Sequence, residues 1–253
     1  MRILTYNIAG NRGRGKSKHL EEVADMVKTA HVDVVGLQEV VHYRSGAIGP
    51  DDLLAERTGM HAHFMPAHQF EHYCIGNAVL TREEIEETVV HELPRSWPER
   101  RILLEVRTCV EGLPVVIFCT HLVHMARLGR RLRLVQATAV AKIMSQCWRP
   151  HVLVGDLNAE PHSHELHPIR DICIPSGHHG ELCTWPARKP LILYDHVWPG
   201  PGWVVEDIKV MDLHVSDHRP LYAQLGWAGA RGYNIMPDEP YLAAGAPEPA
   251  LSA

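Results

Sequence analysis

Seven short groups of polar residues in this sequence combine side chains that together can carry out metal-assisted hydrolysis. They contain carboxylates, amides and imidazoles, and each group closes a predicted strand. Because strand ends converge at one edge of packed sheets, side chains from all seven groups can meet in one site. In chain order the groups are Tyr6-Asn7, Leu37-Gln38-Glu39, Gly76-Asn77, Thr120-His121, Gly155-Asp156-Leu157-Asn158, Asp195-His196 and Ser216-Asp217-His218.

The residue types in these groups suit attack on a phosphate ester. That reaction needs a hard cation, a positioned water, donors for the developing oxyanion charge, and a proton for the leaving group. Oxygen ligands favour Mg²⁺ or Mn²⁺; Glu39 is the best single candidate, and Asn7 and Asp217 are further candidates. The sequence therefore predicts an oxygen-rich cation site without a thiolate pair.

Two pairs of residues are candidates for the proton chemistry. Asp156 and Asn158 are two apart, so on an extended segment their side chains lie on the same face. The carboxylate could then orient and deprotonate water or hold a metal, while the amide donates to a phosphoryl oxygen. Read alone, this motif is also typical of an Asx turn. Asp195 and His218 fit an acid–imidazole pair, in which the carboxylate fixes the tautomer and stabilises the imidazolium.

A loop near the N-terminus indicates a different function. Residues Gly10 to Ser17 match GxxxxGK[ST] at every fixed position, between a predicted strand and a predicted helix. Val152 to Asp156 would then supply the acidic residue of a magnesium site in a P-loop nucleotide-binding protein. The alternative is a Gly/Arg-rich surface turn before a helix that Ser17 caps. Chance produces one such loop far more readily than the ordered groups, so the distributed site is favoured.

The periodicity of the chain predicts the elements that position these groups. Apolar residues recur at helical spacing after Ser17 and in 129–147, and 51–59 is predicted as a short helix. Strands are predicted at 2–8, 31–40, 61–66, 74–80, 101–110, 114–121, 151–156, 193–198, 204–211 and 219–225. Many of these strands are neighbours in sequence, which favours two packed sheets with outer helices over a doubly wound sheet. One domain is expected over 1–227, followed by an Ala/Gly/Pro-rich tail over 228–253.

The ordered groups resemble the endonuclease/exonuclease/phosphatase superfamily, from Arg2 to about Gln224. The segments Leu37-Gln38-Glu39-Val40 and Gly76-Asn77-Ala78-Val79-Leu80 are most similar to small bacterial metal-dependent hydrolases near the neutral sphingomyelinases. The resemblance implies an α/β fold, a four-layer α-β-β-α sandwich of two mixed sheets with the site at one edge. It also implies that His218 lies next to the scissile phosphate and that His121 lies across the site, as a phosphate contact or leaving-group acid. An acidic partner for His121 cannot be assigned from the sequence.

Composition limits the partners and the compartment. The formal charge of −5 argues against a protein that coats nucleic acid by bulk charge. Basic clusters at 12–18 and 127–133 could nevertheless line a path for a polyanion, and a solvated basic face is the alternative. The six cysteines form no CxxC pair, and neither a signal core nor a run long enough to span a membrane is present. We therefore expect reduced thiols, a cytoplasmic location and no transmembrane segment.

The sequence thus predicts a Mg²⁺- or Mn²⁺-dependent phosphoesterase, a phosphodiesterase or nuclease that hydrolyses a P–O bond by in-line attack of activated water. Its partner is a phosphate-ester substrate, for which nucleic acid is a candidate, and no obligate protein partner is evident. Sphingomyelinase-like and inositol-phosphate phosphatase activities are alternatives within the superfamily, because fold and catalytic set are shared among them. P-loop nucleotide binding is the alternative from another class.

Overall fold

Two mixed β-sheets pack face to face in the computed structural model, which describes residues 1–9, 16–94, 100–124, 126–175 and 182–229. The strands are β1 (Arg2–Asn7), β2 (Val34–Tyr43), β3 (His61–Gln69), β4 (Tyr73–Thr81), β5 (Ile85–Glu92), β6 (Ile102–Val110), β7 (Leu113–His121), β8 (His151–Asp156), β9 (Asp195–Pro199), β10 (Trp203–Val210) and β11 (Leu221–Trp227). The helices are α1 (Lys16–Thr29), α2 (Pro50–Thr58), α3 (Ala126–Met144) and α4 (His167–Arg170), with a 3₁₀ turn at His164–Leu166. The strand orders are β10-β11-β1-β2-β4-β3 and β5-β6-β7-β8-β9.

The alternation of side chains along the central strands produces four layers. In β1, Ile3 packs between the sheets, whereas its neighbour Leu4 packs under α1 and α2. In β8, Val152 and Val154 face the other sheet, whereas Leu153 packs under α3 and α4. Both faces of these strands are buried, which explains the consecutive apolar residues Ile3-Leu4 in β1 and Val152-Leu153-Val154 in β8. The expected α-β-β-α sandwich is confirmed. None of the described helices combines the length and hydropathy needed to cross a membrane.

Strand direction brings the polar groups to one edge, although not all of them close a strand. Asn7, His121 and Asp156 are the last residues of β1, β7 and β8, as expected. Asp195 instead begins β9, which runs antiparallel to β8 and places Asp195 directly opposite Asp156. Residues 216–218 likewise precede β11, which runs antiparallel to β1. The start of an antiparallel strand lies at the same edge as the end of its neighbour, so convergence is preserved.

Glu39 departs from the expected strand end. Strand β2 continues to Tyr43, and Glu39 lies inside it, at a bulge where the register against β4 shifts between Leu37 and Val40. The φ of Glu39 is 55°, which is uncommon for a residue with a side chain. A bulge of this kind redirects one side chain out of the regular alternation.

Smaller differences concern helix ends and the tail. Helix α1 begins at Lys16, so Ser17 lies within its first turn and does not precede it as a cap. The tail expected from residue 228 falls almost wholly outside the described residues, as do residues 10–15 of the N-terminal loop. The domain boundary therefore stays a prediction.

Gly155 allows the closest approach between β7 and β8. A Cβ atom at this position would lie 2.0 Å from the carbonyl oxygen of Thr120, its partner in the register of the two strands. The φ of Gly155 is 152°, where a side chain is also unfavourable. The glycine of the GDxN motif is thus required by strand packing, and it determines where Asp156 emerges.

We expect Gly155→Ala to lower the free energy of unfolding by about 3–4 kcal/mol, because the methyl group would overlap a strand backbone that cannot move without loss of pairing. Urea unfolding followed by circular dichroism measures this loss. Gly112→Ala is the matched control: the φ of Gly112 is 79° but the space around its Cβ is open. That variant should lose about 1–2 kcal/mol through backbone strain alone. Equal losses would contradict the importance of the contact with Thr120.

Candidate active site

The carboxylate of Asp156 joins the two sheets. Its Oδ2 accepts a hydrogen bond from Asn7 Nδ2, at 3.0 Å, and its Oδ1 accepts one from the backbone N–H of Asn158, at 2.9 Å. Asn158 has a φ of 51°, so the segment turns at this point and is not extended as expected. The Asx turn is therefore present, and the same turn fixes the carboxylate beside Asn7. The turn and the site interpretations of this motif are compatible.

The orientation of Asn7 is determined by Ala9, which follows β1, and by Ser216, which precedes β11. Asn7 Oδ1 accepts a hydrogen bond from the N–H of Ala9, at 2.9 Å, and Ser216 Oγ donates to the Asn7 carbonyl, at 2.7 Å. Because Oδ1 already accepts, the amide nitrogen is the atom that faces Asp156. Ser216 also accepts from the backbone N–H of His218, at 3.3 Å, so one hydroxyl connects two of the predicted groups.

Asp195 and His218 form the expected acid–imidazole pair. Asp195 Oδ2 lies 2.7 Å from His218 Nδ1, and His218 Nε2 lies 3.7 Å from Asp156 Oδ2. Burial alone would lower the pKa of His218. The charge of Asp195 and its hydrogen bond outweigh burial, with further contributions from Asp156 and Asp217, and raise the pKa to about 10. The imidazole is therefore protonated at neutral pH, and Nε2 is a donor.

The two buried carboxylates make this region suitable for a cation. Burial, followed by the charge of Asp195, raises the pKa of Asp156 to about 7 against the opposing effects of His218, Asn7 and Asn158. Asp195 Oδ1 is buried and has no hydrogen-bond donor among the described residues. The ligand atoms of Asp156, Asp195 and His218 all lie within 4.8 Å of one another. The protonated ring of His218 has no lone pair for a metal, so the two carboxylates, with the unsatisfied Oδ1 of Asp195, are the part of this group that fits the divalent cation that the sequence predicts.

The three predicted metal ligands lie around this group and not within it. Asn7 contacts Asp156 directly. Glu39 is partly buried and lines a pocket together with Asn77 and His121. Asp217 is exposed, next to His218 in sequence, and its charge contributes to the raised pKa of that imidazole. Their assignment as ligands stays a prediction.

The side chain that contacts His121 is the cationic Arg101, and not an acidic residue. Its Nδ1 lies 2.9 Å from Arg101 NH1, and its Nε2 lies 3.4 Å from Asp156 Oδ2. Burial and then the charge of Arg101 hold the pKa of His121 well below its usual value. The two imidazoles of the site therefore have opposite protonation states at neutral pH.

The geometry of this edge can be compared with known proteins. A family model described as the Endonuclease/Exonuclease/phosphatase family matches residues 4–218. The chain belongs to the endonuclease/exonuclease/phosphatase family. The matched range runs from the first strand to His218 and so includes all the converging groups.

Several known proteins align with this chain over most of its length. The uncharacterized protein YbhP of Escherichia coli (strain K12) is 26% identical over 261 residues, which cover 88% of this chain and 95% of that protein. A solved endonuclease/exonuclease/phosphatase from Beutenbergia cavernae DSM 12333 has a TM-score of 0.75 and 23% identity, over 91% of this chain and 72% of that one. The mannosyl-6-phosphatase of Bacteroides thetaiotaomicron VPI-5482 has a TM-score of 0.72 and 17% identity, over 90% and 100%. At these identities the two structures show a common fold.

Two residues of this site, Arg101 and His124, were not predicted from the sequence. Arg101 was assigned only to the start of a strand, although the strand pair 101–110 and 114–121 would have placed it near His121. His124 lies three residues beyond His121, and its Nδ1 is 3.0 Å from Asn158 Oδ1. Neither residue stands in a recognisable motif, so strand pairing and spacing were the available signals.

The basic cluster after β7 is in part structural. Arg133 is buried and donates to the carbonyl of His124, at 2.7 Å, and to Glu165 Oε1, at 3.2 Å. It thereby anchors the segment that carries His124 and does not line a path for a polyanion. Arg130 is largely exposed, with Nε 3.3 Å from Glu165 Oε1. Arg133 therefore has a structural role and Arg130 faces solvent, whereas the side chain of Arg127 and the basic side chains at 12–18 lie outside the described residues, so a path for a polyanion stays a prediction.

The P-loop hypothesis conflicts with the fold around the loop. Residues 10–15 lie outside the described part of the chain. Strand β1, which precedes the loop, and strand β8, which would supply the acidic residue, belong to different sheets. Strand β1 pairs in parallel with β2 and antiparallel with β11, so it lies in a mixed sheet, whereas a phosphate-binding loop of this type is typical of a parallel sheet. The family fold therefore favours the distributed site.

We expect Asp156→Asn to make the stability of the metal-free protein less sensitive to a rise in pH from 5 to 8. The folded-state pKa of Asp156 is about 7, above the usual value of 3.8, so its contribution to the free energy of unfolding is greatest below about pH 4. That contribution falls as the pH rises through 7. The variant does not ionise, so its stability relative to the parent protein should rise by on the order of 1–3 kcal/mol from pH 5 to pH 8, beside the pH-independent cost of an amide that has only one acceptor for the donors of Asn7 and Asn158.

Urea unfolding in a chelator at the two pH values measures the difference between the variant and the parent protein. Asp25→Asn, at an exposed position of α1, is the control and should show no change with pH over this range. A stability difference between Asp156→Asn and the parent protein that is the same at pH 5 and pH 8 would contradict the raised pKa of Asp156.

Proposed function

We propose that this family member is a divalent-metal-dependent phosphoesterase, a phosphodiesterase of the nuclease type that uses Mg²⁺ or Mn²⁺. The observation that carries the proposal is the contact of Asp156 with Asn7, Asn158 and His218 at one edge of both sheets. This arrangement combines a carboxylate with a raised pKa, a protonated imidazole and two amides. Family membership supports hydrolysis of phosphoesters in general.

Glu39, Asn7 and Asp217 would hold the cation. When bound, the cation neutralises charge on the phosphoryl oxygens and lowers the pKa of a coordinated water. Asn7 is suited to this position because its amide is held by Ala9 and Asp156 on either side. The bulge at Glu39 directs that carboxylate toward the same pocket as His121.

Asp156 is suited to accept the proton of the attacking water. General bases work best when their pKa lies near the working pH, and burial raises the pKa of Asp156 to about 7. The Asn158 N–H and the Asn7 amide fix both carboxylate oxygens, so the base is positioned before the substrate binds.

Asn158 and His218 supply donors for the charge that develops on the phosphoryl group. Asn158 Nδ2 donates one N–H to the Leu122 carbonyl, at 3.0 Å, and its second N–H, beside His121 Nε2, is the one that could donate to a phosphoryl oxygen. His218 holds its Nδ1 proton on Asp195 and presents Nε2 beside Asp156. Such preorganised donors in a buried site commonly contribute the largest part of the rate acceleration.

The residues that line the pocket favour an anionic substrate. Arg100 and Arg101 line the pocket with Glu39 and His121, so positive charge lies close to the proposed cation position. This favours a polyanion such as nucleic acid. Phosphomonoester hydrolysis is the competing activity, because one structure of the same fold is named a mannosyl-6-phosphatase.

We also propose a cytoplasmic location. All six cysteines are free, which is typical of a reducing compartment.

A metal-supplemented substrate panel tests the proposed function. We expect hydrolysis of bis-p-nitrophenyl phosphate and of DNA or RNA to exceed that of p-nitrophenyl phosphate and sphingomyelin. Faster turnover of the monoester would assign a phosphatase, and turnover of sphingomyelin alone would assign a sphingomyelinase-like enzyme. Absence of hydrolysis across the panel, with either cation present, would overturn the proposal.

We expect Glu39→Gln to lower kcat/KM on the best substrate by at least about 10²-fold, because one charged ligand of the cation is lost. Exhaustive chelation should abolish activity, and added Mg²⁺ or Mn²⁺ should restore it. Calorimetric titration of the metal should show weaker binding to the variant. Glu92→Gln, at an exposed position of β5, is the matched control and should leave both measurements unchanged.

The pairing of Asp195 with His218 makes their effects on turnover non-additive. His218→Ala should reduce kcat by about 10²- to 10⁴-fold, and Asp195→Asn by a comparable amount, because either change disables the same unit. The double variant should be scarcely slower than the slower single variant. Losses that multiply in this double-mutant cycle would show that the two residues act independently.

A further inference from the structure

A guanidinium group, and not a carboxylate, contacts the ring of His121. Arg101 NH1 lies 2.9 Å from Nδ1, and His121 is buried. A guanidinium has five donors and no acceptor, and it keeps its protons in proteins. Nδ1 must therefore accept this hydrogen bond. A neutral imidazole has one acceptor nitrogen, so its proton then lies on Nε2.

A second hydrogen-bond donor, the side-chain amide of Asn158, lies next to the other nitrogen of the His121 ring. Asn158 Nδ2 lies 3.0 Å from His121 Nε2, which would favour an acceptor at Nε2. That tautomer would place Nδ1–H against a cationic N–H 2.9 Å away. The opposite tautomer gives up the hydrogen bond from Asn158 Nδ2 to Nε2, but it places Nε2–H 3.4 Å from the carboxylate oxygen Oδ2 of Asp156, and Asn158 Nδ2 still donates to the Leu122 carbonyl. One carboxylate acceptor and one cationic donor both favour the proton on Nε2.

We propose that Arg101 is a positioning residue that fixes the Nε2–H tautomer of His121, so that His121 donates a hydrogen bond to a non-bridging phosphoryl oxygen. The inference rests on the proposed function and assigns one of the two roles that the sequence left open. His121 is then a phosphate contact and does not protonate the leaving group.

The position of Arg101 disfavours protonation of the leaving group by His121. A ring that acts as an acid must first carry both protons, and Nδ1–H would then lie against Arg101 with no acceptor. A neutral ring that gave up its Nε2 proton would become imidazolate, which is far too basic for the step. A neutral N–H donor requires neither change.

The ring can be measured without any substrate. Long-range ¹H–¹⁵N spectra distinguish the two tautomers from the imidazolium, and His121→Gln identifies the signals of this ring among the 19 histidines. We expect the Nε2–H tautomer in the parent protein, with and without Mg²⁺. Arg101→Glu places an acceptor against Nδ1 and should convert the ring to the Nδ1–H tautomer or the imidazolium.

Two further variants separate this effect from loss of charge and from misfolding. Arg100→Gln removes a positive charge from the same pocket and should leave the tautomer unchanged. Arg101→Gln retains a donor and should keep the Nε2–H tautomer even if Arg101→Glu fails to fold. An Nδ1–H tautomer or an imidazolium in the parent protein would overturn the inference, as would an unchanged ring in a folded Arg101→Glu variant.

The leaving-group dependence of hydrolysis tests the role of His121. On a series of aryl phosphodiesters with increasingly basic leaving groups, His121→Gln should lower kcat by about 10²-fold throughout. Arg101→Gln should lose less kcat than an Arg101→Glu variant whose spectra show the proton on Nδ1 alone, because Nε2 of that ring no longer donates. A loss that grows with leaving-group basicity would identify His121 as the acid and overturn the inference. If no phosphoester is hydrolysed, the proposed function fails, while the spectra still decide the tautomer.

Discussion

The buried carboxylate of Asp156 is held by donors from both sheets, and the character of the site follows from that constraint. Asn7 donates from the end of β1 and Asn158 from the turn after β8. Removal from water and the nearby charge of Asp195 disfavour ionisation, so this part of the fold costs stability at neutral pH. The proposed divalent cation would offset that cost, because binding to the folded state stabilises it.

Backbone geometry directs the side chains of this edge as strongly as strand order does. Glu39 and Asn158 both have positive φ values, one at a bulge and the other in a turn. Gly155 admits the carbonyl of Thr120 where a side chain would collide with it. Such conformations persist where surrounding packing over-determines them, and they cluster at functional sites. At this edge they direct two carboxylates and an amide out of the regular alternation of the strands.

Two buried imidazoles in one site have opposite protonation states because their neighbours differ. His218 contacts the carboxylate of Asp195, which outweighs burial and keeps the ring charged. His121 contacts the guanidinium of Arg101, which adds to burial and keeps the ring neutral. In a medium of low dielectric constant one adjacent charge decides the protonation of a histidine. The two rings can therefore serve as distinct donors to one phosphoryl group.

The sequence by itself determined the layers and the composition of the site. Consecutive apolar residues such as Ile3 and Leu4 indicate a strand that is buried on both faces, and local motifs such as Gly155 to Asn158 are short enough to be read directly. Only the tertiary structure decided the partner of His121, the bulge at Glu39 and the structural use of Arg133. Each depends on contacts between residues far apart in the chain, or on a register shift between strands. Periodicity carries no information about either, because it reports the face of an element and not what packs against it.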